Sequence, residues 1–349
     1  MSLLLPRRLR PGDKVALVSL SSGMIGDAPF LHKLRLAETA LRDNFGLTLV
    51  PMDNALRGSA YLSAHPEARA ADLMQAFRDP EIDLILCAIG GDDTYRLLPY
   101  LFDEGRLEKA ACRKPFLGYS DTTVTHFLLH AAGVVSFYGP SVMCEFGEYG
   151  GMFDYCRQAV QDVLFTGFDR YEVPHSPTWT DTFIPWAEEN MDKTYEMAAD
   201  TRGYEVLNGS GRASGPIFGG CLELFTMLNG TKIWPKLEDW RGSLLLLETS
   251  EDHPAPELLR YTLRNLAAQG ILKELHGILF GKPKGEVYYE EYKKELLKVV
   301  VEEEGLTGLP ILYNVNIGHA RPIGVLPLGT QAEIDCGAKT LTLTQCPTC

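Results

Sequence analysis

The stretch 114-KPFLGYSDTTVTHFLLHAAG-133 runs from a short apolar segment straight into a helical pattern, through Gly118-Tyr119-Ser120-Asp121-Thr122-Thr123. A strand followed at once by a helix is half of a βαβ unit, so the fold turns on this junction. Ser120 has two readings there. It can be an N-cap whose hydroxyl satisfies an orphan backbone N–H. It can also be a nucleophile exposed by a strand-to-helix turn, with the Asp121 N–H beside it at the start of a helix, where donors point outward. A G-x-S-x-G elbow would need Gly at position 122, and the chain has Thr122. The junction alone leaves both readings open.

Outward from it, residues 14 to about 166 alternate β-rich runs with amphipathic segments. The runs are 15-VALVSL-20, 47-LTLV-50, 83-DLILCAIG-90, 114-KPFLGY-119 and 134-VVSFYG-139. Helical patterns cover 31-LHKLRLAETALRDNFG-46 and 67-EARAADLMQAFRD-79, the second after a Ser63/Pro66 start signal. This alternation predicts an α/β fold with a doubly wound parallel sheet, whose ligand crevice lies at the carboxyl ends of the strands. Ser120 would sit at that edge.

Residues 167–211 are polar, proline-bearing and without sustained periodicity. A loop that long is functional or disordered as a rule, and Trp179 and Trp186 argue against disorder. Strand and helix signals resume after residue 212, with helices over 256–270 and 289–305 and a hairpin over 331–345. The expected organisation is an N-terminal α/β domain over 1–168, a junction and active-site flap over 169–211, and a C-terminal domain over 212–349.

Composition narrows the function classes. A chain of 349 residues, 45% hydrophobic, can bury a substantial core. Its net charge of −13, from 46 acidic and 33 basic residues, argues against a nucleic-acid polymer as partner. The N-terminus MSLLLPRRLRPGDK has too short an apolar run for a signal peptide or a membrane span, so the expectation is a cytoplasmic protein without membrane contact. The scattered cysteines suit reduced, packed thiols, and the terminal Cys346/Cys349 pair is a lone C-x-x-C with no second pair to complete a metal site.

A serine nucleophile needs a base and an acid to hold that base. His126 and His130 follow Ser120 on one face of its own helix, a spacing that suits packing. His319, in 316-NIGHARP-322, ends a β run before a loop, a position from which a side chain reaches a crevice. For the acid, Glu248 closes the apolar run 243-SLLLLE-248, where a carboxylate requires a partner. A structural ion pair would serve as well as a histidine. Backbone donors for an oxyanion could come from 89-IGGDDTYRLLP-99, where Gly90-Gly91 exposes N–H groups beside the Asp121 amide. No G-x-G-x-x-G is present, and Asp92 and Asp93 would repel a pyrophosphate.

The stretches IGGDDTYRLLPYL, FLGYSDTT, GPIFGGCLELFTMLNGT, LLLLETSED and NVNIGHARPIGVLPLGT, in that order, resemble the LD-carboxypeptidase family of serine peptidases over nearly the whole chain. The resemblance implies a flavodoxin-like N-terminal domain, a C-terminal swivelling β/α domain and a homodimer. It implies a catalytic triad of Ser120, Glu248 and His319, an oxyanion hole from Gly91 and Asp121, with Gly90 in the substrate loop, and neither metal nor cofactor. One branch of the family cuts murein tetrapeptides. The other, of the microcin C immunity type, cuts the amide between an acidic aminoacyl group and a sulfamoyl or phosphoramidate adenylate. The length of the 167–211 segment resembles the immunity type, which implies that Trp186, or else Trp179, stacks on a nucleobase. In 281-GKPKGEVYYEEY-292 the same likeness implies that Glu286 meets the substrate ammonium. The expected partner is thus a small aminoacyl-nucleotide or a short peptide. A catalytically idle nucleotide-binding protein is the rival from another class.

Overall fold

A computed structural model describes residues 3–349. Five parallel strands, β1 (Lys14–Val18), β2 (Thr48–Pro51), β3 (Leu84–Cys87), β4 (Phe116–Gly118) and β5 (Ser136–Tyr138), stand in the order β2-β1-β3-β4-β5. That is the flavodoxin-like order, whose switch point lies between β1 and β3. β3, β4 and β5 are buried along their whole length, as continuous apolar runs in a covered parallel sheet should be. β2 is an edge strand and ends in Pro51, tolerated there because an edge leaves N–H positions unpaired.

The helices follow their sequence signals in part: Ser63, read as a start signal, falls inside a preceding short helix, Ser59–Ala64, and the helix expected over 289–305 is α-helical only over Tyr289–Leu297 and continues as a π-helical turn, Lys298–Glu303. Leu31–Phe45 ends at Gly46 in the left-handed conformation (φ +67°), and Pro66–Arg78 carries its proline in the first turn, where a missing N–H costs nothing.

The second sheet has eight strands. Arg212–Cys221, Leu244–Glu248, Gly277–Gly281 and Ile311–Val315 run parallel to one another. The predicted hairpin, Gln331–Asp335 with Thr340–Leu343, extends it antiparallel on one side. The two sheets share one contiguous core.

Two features cross the boundaries drawn from the sequence. Leu326–Leu328 leaves the C-terminal region and pairs antiparallel with β5, completing the first sheet. The 169–211 segment supplies both outer strands of the second sheet, Tyr171–Val173 and Glu205–Asn208. Such runs of three or four residues bear no local mark of the sheet they will join. Between those strands the segment folds over the cleft as a flap. A short ribbon of Thr178–Trp179 with Ala198–Ala199 braces it, and the Thr180 N–H donates to the Arg321 carbonyl at 3.1 Å.

Candidate active site

Ser120 comes two residues after β4 and adopts φ +63°, a conformation that costs a side-chain-bearing residue about 1–2 kcal/mol. The N-cap positions belong to Tyr119, for the 3-10 turn Ser120–Thr122, and to Thr122, for the helix Thr123–Ala131; neither makes a side-chain cap bond. The N-cap reading of Ser120 is therefore not the one realised. Side-chain bonds help to hold the turn: the Ser120 N–H donates to the Tyr138 hydroxyl at 3.1 Å, and the Thr123 hydroxyl donates to the Ser120 carbonyl at 2.7 Å.

The Gly-Gly loop after β3 packs onto this turn. A Cβ on Gly90 would fall 2.8 Å from both Cβ and Oγ of Ser120 and 3.4 Å from the Asp121 nitrogen, so only glycine permits the approach. Gly91 has φ +152°, and a Cβ there would lie 2.2 Å from Ser21 Oγ. Asp121, fully buried, locks the loop. Its Oδ2 accepts from Ser21 Oγ at 2.5 Å, from the Thr94 N–H at 2.9 Å and from Thr94 Oγ1 at 2.6 Å.

Glu248 and His319 come from the second sheet. Glu248 is fully buried at the end of its strand; its Oε2 accepts from His319 Nδ1 at 2.8 Å and its Oε1 from the Tyr138 hydroxyl at 2.6 Å. The ion pair anticipated as an alternative role is thus made with the very histidine picked out as base. Gly318 (φ +99°) makes this approach feasible, since a Cβ on it would meet Glu248 Oε2 at 2.3 Å.

The other ring nitrogen, Nε2, lies 3.1 Å from Glu251 Oε2. Burial lowers the His319 pKa, but the Glu248 carboxylate, its hydrogen bond and then Glu251 and Glu223 outweigh burial and raise it to about 9. The two carboxylates on either side of the ring therefore favour its imidazolium form. The Tyr119 ring meets it edge-on, centroids 5.0 Å apart.

A cleft of about 700 Å³ exposes Gly90, Gly91, Ser120 and His319 on its floor and walls. Phe183, Pro185 and Trp186 of the flap close one side. Trp186 packs edge-on against Phe30 with centroids 6.4 Å apart, and the buried Lys33 ammonium lies 4.8 Å from its ring centroid. Its indole N–H has no hydrogen-bond partner among the described residues.

Not every expected residue reaches the cleft. Glu286 is bound to Lys282 at 2.8 Å and to Arg202 at 3.4 Å, and does not line the cavity. Trp179 lies with Lys282 over its ring at 4.4 Å, likewise outside it. The cleft has charges that sequence reasoning missed: Glu223, Glu251, Asp252, Lys284 and Arg321 all line it. Glu251 has a sequence signal, a second carboxylate three residues beyond Glu248 in the loop that follows its strand. His126 and His130 behave as packing residues, His126 bonded to Ser136 and to the Gly118 carbonyl. Among the described residues no cluster of His, Cys, Asp or Glu suits a metal ion, and no helix is long and apolar enough to cross a membrane.

Comparison with known proteins gives concordant matches. The family model for the LD-carboxypeptidase N-terminal domain matches residues 15–139, and that for the C-terminal domain residues 214–334. A Bacillus subtilis protein named "Probable murein peptide carboxypeptidase" is 30% identical over 97% of this chain and 93% of its own. A crystal structure of an MccF-like protein from Streptococcus pneumoniae in complex with AMP superimposes with TM-score 0.88 at 36% identity, covering 95% of this chain and 98% of that one. The Escherichia coli microcin C7 self-immunity protein MccF is 27% identical over 82% of this chain and 80% of its own. Its complex with aspartyl sulfamoyl adenosine has TM-score 0.82 at 23% identity, covering 99% of this chain and all of that one, which speaks for the shared fold.

Proposed function

The chain belongs to the LD-carboxypeptidase family and is a serine-peptidase-type hydrolase; from that premise we propose that it cleaves the amide between an aminoacyl group, an acidic one above all, and a nucleotide-like moiety, as a self-immunity or detoxifying enzyme. Ser120 attacks the carbonyl, His319 takes the hydroxyl proton and returns it to the leaving nitrogen, and Glu248 holds the imidazole and stabilises its cation. The N–H groups of Gly91 and Asp121 receive the oxyanion. The carboxylates Glu223, Glu251 and Asp252 suit the free ammonium of an aminoacyl group, and Lys284 and Arg321 suit its acidic side chain. The reading includes a homodimer and a cytoplasmic location.

The observation that carries the reading is Trp186 on the same cleft as Ser120 and His319, in a chain 36% identical to a protein that holds AMP. A second reading, murein tetrapeptide carboxypeptidase, is favoured by the Bacillus subtilis relative. The deciding experiment offers aspartyl sulfamoyl adenosine and a murein tetrapeptide to wild type, Ser120→Ala and Trp186→Ala. Turnover of the adenylate should fall by several orders of magnitude in Ser120→Ala, and its KM should rise by about one to two orders in Trp186→Ala, the range of one lost base stack. Equal losses on both substrates in Trp186→Ala would shift weight to the murein reading. Ligand binding without product, unaffected by Ser120→Ala, would leave an idle nucleotide binder.

A further inference from the structure

The Tyr138 hydroxyl lies where the two halves of the site meet. It stands at the end of β5, fully buried, between Ser120 after β4 and Glu248 at the end of a strand of the other sheet. Its single proton goes to Glu248 Oε1 at 2.6 Å, which leaves its oxygen to accept the Ser120 N–H at 3.1 Å. Glu248 Oε2 accepts a hydrogen bond from His319 Nδ1 at 2.8 Å. A continuous chain of hydrogen bonds therefore joins the backbone of the serine to the ring of the histidine without passing through the cleft. Gly220 (φ +153°) clears the way for the ring: a Cβ there would meet Tyr138 Cε2 at 3.1 Å.

We propose that Tyr138 is a positioning residue for hydrolysis, its hydroxyl clamping the left-handed turn of Ser120 and Glu248 in one register across the two sheets. This rests on the triad reading given above. The clamp acts at both ends. At Ser120 it gives the turn's amide a buried acceptor, which a relaxed turn would forfeit. At Glu248 it fixes the carboxylate plane so that Oε2 faces His319, and it draws charge toward Oε1. Burial and the neighbouring Glu248 charge push the Tyr138 phenol well above its ordinary range, so it remains a donor throughout the working pH range.

Tyr138→Phe keeps the ring and deletes the clamp. The expected result is a fall in kcat of about 10- to 100-fold, the span of one hydrogen bond to a charged group, with KM nearly unchanged. With Oε1 unpaired, Glu248 holds the His319 proton more tightly. The groups that face this imidazole are Glu248, Glu251, Glu223 and Tyr119, and only the first changes its bonding. The rising limb of the pH profile should therefore move up by roughly half a unit or more.

A double-mutant cycle separates positioning from packing. In a Glu248→Gln background the part of the Tyr138→Phe loss that runs through the carboxylate is already gone, so the further loss should be clearly smaller than in wild type, with only the Ser120 end of the clamp left to lose. Full, multiplicative losses in that background, or a pH limb that stays in place while only melting temperature falls, would overturn the proposal. Ser120→Ala is the control: if it retains activity, the triad reading fails, whereas an inactive Ser120→Ala beside a fully active Tyr138→Phe sinks the clamp alone. If Tyr138→Phe folds poorly, kcat per active site is read on its folded fraction by titration with a serine-directed fluorophosphonate.

Discussion

Replacing Glu251 with Gln should make His319 a better base at neutral pH. Glu251 Oε2 lies 3.1 Å from Nε2, the nitrogen opposite the one Glu248 holds. Below a pKa of about 9 the ring is an imidazolium, and an imidazolium cannot accept the Ser120 proton. Taking away one of the carboxylates that face it, with Glu248 and Glu223 left in place, lowers that pKa, so the rising limb of kcat/KM against pH moves down. The size follows from geometry and exposure. The Glu251 side chain is 56% exposed, so solvent screens the pair. Coulomb attraction at this separation is about 1.3 kcal/mol in bulk water, and exposed pairs measure about 0.2–1 kcal/mol. At about 1.4 kcal/mol per pKa unit, the limb should shift down by about 0.2–1 unit. On the rising limb, kcat/KM follows the neutral fraction, which means a gain of about 1.5- to 10-fold at neutral pH. The assay is kcat/KM between about pH 5 and 10 on an activated ester without an amino group, so that no substrate ammonium competes for residue 251. A limb that stays in place or moves up would refute the reasoning.

Two further outcomes are expected. Gly90→Ala should cost about 1–3 kcal/mol of stability through overpacking, and turnover at least tenfold, because the new methyl lands on Ser120 Oγ; wild-type kcat in a chemical-denaturation-matched sample would contradict the close approach. The His319 imidazolium, with its pKa raised from 6.5 to about 9, lends stability that is complete below the lower value and lost as pH climbs through the higher one. Melting temperature should decline across that window more steeply in wild type than in His319→Gln, and parallel declines would exclude the linkage.

Much of the site is legible in the sequence because each member ends an apolar run. Ser120 follows 116-FLGY-119, Glu248 closes 243-SLLLLE-248, and His319 comes four residues after a buried strand, so topology brings Ser120 to the carboxyl edge of the first sheet and Glu248 and His319 to that of the second. Gly90 and Gly91 are legible for the complementary reason, since a paired glycine after a strand marks a close backbone approach. Tyr138 is not: inside 134-VVSFYG-139 it reads as apolar, and its hydroxyl finds its partners only when two sheets meet. Lys33 sits in an amphipathic helix and reads as solvated, yet it lies fully buried below the flap with Glu148 4.0 Å away. Glu286 failed in the other direction. A charge in a suggestive stretch is taken by Lys282, four residues before it, and such a local pairing competes with any ligand.

The crossing of Leu326–Leu328 to the first sheet has a mechanical consequence. His319 lies on the span between Val315, the last residue of a strand in one sheet, and Leu326, the first of a strand in the other. A tether fixed at both ends transmits any relative rotation of its anchors, and the flap is stitched to the same tether through Thr180 and Arg321. Opening the cleft by a hinge between the sheets would therefore draw the imidazole away from the serine and lift the flap in one stroke. The shared core that holds the two sheets together thus also sets the place of the imidazole and of the flap.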